Sequence, residues 1–290
     1  MTQTLTADSA PNSRTSVPLV RLLRAELRWV FRRPRTLIVL GLIAALPIAI
    51  GIGLTLVDSP GSGPSGEREG AALLAAAASN AFVLPIAALT FSLGLLLPLA
   101  AAMAGGDAIA GELSHGTLRG WMLAPVSRGR LLVVKAFGVA SVTLTAVAAM
   151  AGTGVLTGLV INGTDAMFTL SGTSLSFLDA LGRVAMAVGW VSLHVWAIGA
   201  VALAISACTE HPMLVVASVL GGTVVFSILG LLEALSWLHP FLLTESYPAL
   251  ADILREPIPG AELGEGALRA ACYVVIGLSL AYARITTRDG

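Results

Sequence analysis

Charge is what this sequence has least of. Asp, Glu, Lys and Arg make up 12% of its 290 residues, about half the 25% usual in a soluble domain. That scarcity, beside 56% hydrophobic residues, excludes a disordered chain, which needs low hydrophobicity and high charge. The 17 basic and 17 acidic residues cancel, so the basic excess of a nucleic-acid binder is missing. Lysine is nearly absent. Lys135 is the only one, and the other 16 basic residues are Arg; with the heavy Ala and Gly use, this points to a high-GC bacterial genome. The two cysteines, Cys208 and Cys272, lie far apart in apolar stretches, which supports neither a disulfide framework nor a zinc site. His115, His194, His211 and His239 fall in different segments. There is no G-x-x-x-x-G-K-[ST] phosphate loop, no H-E-x-x-H and no G-x-S-x-G. The chain is therefore not expected to be an enzyme or to hold a metal or cofactor.

What the sequence does have is long apolar runs. Mean hydropathy is +0.87, and the default class is an all-α polytopic membrane protein. Six spans are predicted: Thr36–Val57, a Pro-kinked run with its membrane part at Phe82–Ala104, Leu131–Ile161, Phe177–Cys208, Met213–Leu232 and Leu268–Ala283. The first has 22 residues without a charge and reaches about 33 Å as a helix, enough for a hydrocarbon core of about 30 Å.

Residues 1–15 read as a disordered tail, and 16–290 as one transmembrane domain. Its first part, 16–35, carries Arg21, Arg24, Arg28, Arg32 and Arg35 at helical spacing, opposite Val20, Leu23, Leu27, Val30 and Phe31. That is an amphipathic helix suited to the headgroup layer, ended or kinked by Pro34.

Six spans put both termini on one side. Sorting charges by side gives 13 basic residues against 6 acids on the terminal side, and 4 against 11 on the other. The sides thus carry +7 and −7. The Arg-rich side is cytoplasmic by the positive-inside rule, so both termini are expected in the cytoplasm.

Three places invite a functional reading. His194 sits in the fourth span beside Trp190; an ionisable group at that depth is a candidate for the translocation path, and a helix-to-helix hydrogen bond is the alternative. Residues 233–266 are apolar, acidic and Pro-broken. Non-spanning backbone of this kind must be buried or line a cavity, so Trp237, Pro240 and Phe241 are candidates for an outer gate. The third place is the connection 105–130, longer than helix connections usually are. Asp107 and Glu112 open a possible short helix there, and Leu118, Trp121 and Met122 form an i, i+3, i+4 apolar patch. Pro125 ends that helix and Ser127 is a natural N-cap for the next span.

The run Glu112-Leu-Ser-His-Gly-Thr-Leu-Arg-Gly-Trp-Met-Leu-Ala-Pro-Val-Ser-Arg-Gly-Arg-Leu-Leu-Val-Val-Lys135 resembles the signature of ABC transporter permeases of the type-2 export family. Glu112, Gly116, Thr117, Pro125, Ser127, Arg128 and Lys135 match that pattern, while Gly120-Trp121 departs from it. The resemblance implies a permease subunit of a bacterial inner-membrane exporter. Two separate ATPase subunits would bind ATP and magnesium, and a second permease chain, identical or a sister, would complete the unit among membrane lipids. Nucleic acid has no part in it. The coupling residues would be Glu112, Gly116, Thr117, Leu118, Arg119, Trp121, Met122, Pro125, Ser127 and Arg128. Glu112 would either pair with a basic residue of the ATPase or cap the local fold. The cargo would be an amphiphile, drug or lipid, moved by alternating access. The alternatives are an ATP-independent secondary transporter, disfavoured by the lack of buried carboxylates within the spans, and an accessory or scaffold membrane protein.

Overall fold

The computed structural model describes residues 18–56, 68–114, 127–163, 169 and 171–287. Among these the fold is all-α. Helix α1 (Leu19–Phe31) is followed by α2 (Pro34–Leu56), α3 (Arg68–Ser79), α4 (Val83–Leu93), α5 (Leu96–Ala108), α6 (Ala110–Ser114), α7 (Arg128–Asn162), α8 (Phe177–Cys208) and α9 (Pro212–Gly230). Two 3-10 segments, Glu233–Phe241 and Leu243–Leu254, precede α10 (Gly260–Thr287). Among the described residues five helices are long and apolar enough to span a membrane, or six when the bent pair α4–α5 is counted as one span. The predicted tail 1–15 and the coupling positions Gly116–Pro125 lie outside the described residues.

The prolines set the breaks. Pro34 is the first residue of α2, where its missing N–H would have no helical partner anyway. Two of the breaks in the second span, at Asn80–Phe82 and at Gly94–Leu95, with a 58° bend at the latter, lie close to prolines. Each break falls about one turn before a proline, Pro85 or Pro98, because the ring removes a donor and clashes with the carbonyl four residues back. Asn80 repairs the first break by accepting a hydrogen bond from the Phe82 N–H at 3.1 Å.

Caps set the other ends. Ser127 accepts from the Arg130 N–H and starts α7, as its type predicts. Ser176 accepts from the Asp179 N–H while its hydroxyl donates to that side chain at 2.6 Å, starting α8. Pro212 opens α9.

Two boundaries depart from the sequence reading. The second span runs on through α5 and α6 to Ser114 instead of ending at Ala104. Gly105 packs against Ala202 of α8 and Gly106 against Pro212 and Val215 of α9, so these glycines serve close helix contact and do not begin a turn. Asp107 accordingly closes α5 and does not open a short helix. The last helix begins at Gly260, eight residues before the expected Leu268. Glu262 lies in its first turn, where an acid complements the helix dipole.

Helix α8 is the central element, with two thirds of its most apolar stretch buried. The second span crosses α7 at short range. A Cβ on Gly158 would collide with the backbone of Ala81, and one on Gly154 would lie 2.7 Å from Pro85 Cα. Gly152, on the other face, has open space. The second 3-10 segment is folded inward, with Leu243, Tyr247, Leu250 and Ile253 buried, whereas the first buries none of its residues.

Candidate functional site

Polar groups converge where α1, the foot of the second span and α7 meet. Lys135 lies two turns into α7 and is only 1% exposed. A lone buried ammonium is prohibitively unfavourable, and two carboxylates meet this one. Its Nζ donates to both carboxylate oxygens of Glu26 at 3.1 Å and to Glu112 Oε1 at 2.5 Å. Arg33 lies 3.9 Å from both Glu112 and Asp107, and Arg35 lies 3.5 Å from Asp107. Three acids thus face three bases around a small cavity of about 40 Å³, and the formal charge cancels locally. Burial pushes the Glu26 carboxyl above its ordinary value, and Lys135 opposes that shift.

Local sequence builds each arm. Glu26 falls on the apolar stripe of α1 and is its only buried residue. One turn beyond Lys135, Gly138 leaves the slot that Glu26 fills, since a Cβ there would stand 3.0 Å from Glu26 Cγ. Glu112 is delivered by the break between α5 and α6. Ser206 of α8 clasps that break, accepting from the Ala110 N–H at 2.8 Å and donating to the Gly106 carbonyl at 3.3 Å. Arg33 rests 5.0 Å over the Trp29 ring, a cation–π distance.

The other predicted residues fall in separate places. Arg128 donates to the carbonyls of Ile285 and Thr286, both at 2.9 Å. It thereby ties the start of α7 to the end of α10, where a cation suits the helix dipole. Ser127 is the cap already described. Of the coupling set, Glu112, Ser127 and Arg128 are the described members, and only Glu112 joins the cluster.

His194 is fully buried in α8. Its Nδ1 lies 3.0 Å from the Trp190 carbonyl, its ring stacks 3.8 Å from that indole, and Tyr247 approaches edge-on at 6.0 Å. Trp190 in turn donates to the Leu263 carbonyl of α10 at 3.0 Å. The pair therefore cements α8 to α10 and to the second 3-10 segment. Trp237 and Phe241 stand out from the first 3-10 segment, 69% and 64% exposed. Two arginines pin the outer segment behind them. Arg183 of α8 donates to the Ile253 and Arg255 carbonyls at 2.7 Å and pairs with Glu256. Arg269 of α10 donates to the Leu242 carbonyl and to Ser246. The acids of this region divide: Asp252 is buried and paired with Arg255, while Glu245 is 42% exposed and lies 4.0 Å from His239.

The cluster was only half visible in sequence. Lys135 is a charge inside an apolar span, and Glu112 belongs to the quoted run. Arg35 reads as part of the Arg face of the first helix and Asp107 as the start of a short helix, while Glu26 and Arg33 enter only as charges counted by side. One signal for Glu26 was present, since it is the one acid of α1 and it interrupts the apolar stripe.

A family model described as ABC-2 family transporter protein matches residues 21–256, from the first turn of α1 to the end of the outer segment, and so covers every member of the cluster. No curated protein matches the chain.

Proposed function

The chain belongs to the ABC-2 family of transporter proteins, and we propose from this that it is the permease subunit of an ATP-driven exporter. In this reading separate ATPase subunits engage the connection between the second and third spans. The observation that carries it is the charge cluster at both feet of that connection. Glu112 stands three residues before the segment 115–126, and Lys135 stands on the helix that follows it. Their 2.5 Å contact closes the connection into a loop, and Glu26 fastens α1 to the same point. A push on the loop is then shared by α1, the second span and α7 as one unit, as rocking between two access states requires. The cargo is an amphiphile or hydrophobic compound, in keeping with apolar spans. Two permease chains complete the unit, and the exposed Trp237 and Phe241 form the outer gate against the second chain.

The test is to find whether a Walker-type ATPase without spans is encoded beside this chain and to co-express the two. Co-purification and cargo-stimulated ATP hydrolysis are expected. Glu112→Gln should lower that stimulation while the complex still assembles. Unchanged stimulation in Glu112→Gln and Arg128→Gln alike would reduce the connection to a passive link, and failure of any ATPase to co-purify would overturn the reading.

A further inference from the structure

Six arginines crowd residues 21–35, and the structure divides them into two sets. Arg33 pairs with Asp107 and Glu112, and the half-exposed Arg35 pairs with Asp107. Arg21, Arg24, Arg28 and Arg32 are exposed and have no carboxylate partner among the described residues. At 100° per residue these four fall within an arc of about 80° and extend over about 16 Å of α1. Glu26 lies on the opposite face, lodged against Lys135 and Gly138.

Two neighbours say what faces the stripe. Apolar side chains flank it on both sides: Trp29, 52% exposed, on one, and Val20, 75% exposed, with Phe31 on the other. An indole beside guanidinium groups is the composition of the headgroup layer, where an amphipathic body keeps a polar tip in water. Directly after the stripe α2 begins. Its most apolar stretch has the highest mean hydropathy of the five long candidate spans among the described residues, and Leu37, Ile38 and Leu42 on it are more than half exposed. The stripe therefore sits at the level where exposure to hydrocarbon starts.

We infer that Arg21, Arg24, Arg28 and Arg32 form a binding surface for anionic phospholipid headgroups, a row of lipid phosphates held along one face of α1. Guanidinium groups match phosphate oxygens in pairs, and each basic residue at a charged lipid surface strengthens association about fivefold. The stripe and the cluster are the two faces of one helix. Headgroups on the outer face hold α1 down at the depth at which Glu26 reaches Lys135.

The experiment uses the full chain reconstituted in phosphatidylcholine vesicles that contain phosphatidylglycerol, with spin-labelled lipids reporting which species is motionally restricted by the protein. Phosphatidylglycerol should be preferred over phosphatidylcholine by about threefold or more, and the preference should fall as salt is raised. The quadruple variant R21Q/R24Q/R28Q/R32Q should lose it, and the corresponding quadruple Lys variant should keep most of it. A wild-type preference near unity, or one indifferent to salt, overturns the inference without any variant and so stands even if the Gln variant fails to fold. A folded Gln variant that keeps the full lipid preference also overturns it. If that variant keeps its lipid preference but no longer retains the ATPase, the stripe is a dock for an acidic protein surface instead.

Discussion

Removing the single lysine should be among the most damaging changes this chain can undergo. In Lys135→Met the apolar stem is kept and the charge is lost, leaving Glu26 and Glu112 facing each other, each about 5% exposed. Deleting one partner of a buried ion pair is destabilising by about 3–5 kcal/mol, because the remaining charge stays desolvated. At about 2–4 °C per kcal/mol for chains of this order of size, the midpoint of thermal unfolding should drop by roughly 10 °C. The assay is thermal unfolding of the purified full chain in one detergent, followed by tryptophan fluorescence and by the fraction eluting as intact protein. Two further measurements separate charge from packing. Replacing the whole set, Glu26→Gln with Glu112→Gln and Lys135→Met, should restore most of the loss, since a neutral set of similar shape carries no uncompensated ion. The deficit should also depend on pH. The Glu26 carboxyl is raised by burial in the fold, so the fold favours its protonated form, and the stability linked to it is present at low pH and lost as pH rises. Without Lys135 to oppose that shift, the deficit of Lys135→Met should narrow towards about pH 5 and widen towards about pH 8. A Lys135→Met protein as stable as the parent at neutral pH, or a triple variant as damaged as the single one, would refute the reasoning.

Three further outcomes follow from the packing. Gly158→Ala should sharply reduce the yield of folded protein, because its methyl meets the backbone of Ala81, while Gly152→Ala, facing open space, should leave it unchanged; the two differ only in what lies opposite. Gly138→Val should displace Glu26 from its slot and loosen α1, read as faster cleavage by an Arg-specific protease between Arg21 and Arg33 with the rest of the chain intact. Arg183→Gln removes two carbonyl contacts and an ion pair from the outer segment, so amide exchange over 243–256 should quicken several-fold while α7 exchanges as before.

The spans were legible because hydropathy and length suffice to define them. The fourth was placed at the residues observed, Phe177–Cys208, by a long apolar run after a polar loop, with Asp179 and Arg183 only near its start. Proline chemistry gave away the first two breaks of the second span, but not the one between α5 and α6, which has no proline beside it. The foot of that span was not legible. Gly105, Gly106 and Asp107 read locally as a turn with a charge, and only the neighbouring surfaces of α8 and α9 make glycine a packing residue there. The cluster escaped for a similar reason. Its members come from four separate stretches of chain, and the pairing of Glu26 with Lys135 spans 109 positions, which no local pattern can reveal. Charge counts by side treat Glu26 and Asp107 as ordinary loop acids, and burial is what sets them apart. Arg128 shows the opposite case. Its place in a motif was plain, but its contact with the end of α10 depends on where the last helix finishes.

The order of the cluster along the chain has a consequence for how the protein is made. Synthesis runs from Glu26 through Arg33, Asp107 and Glu112 to Lys135, so both carboxylates that will hold the lysine exist before it leaves the ribosome. When the third span enters the bilayer, its one cation can be handed directly from water to waiting anions, without a period alone in hydrocarbon. The acids, for their part, can wait beside Arg33 and Arg35. The last member to be made is thus the one that locks the others, and the N-terminal third stays adjustable until the third span has been inserted.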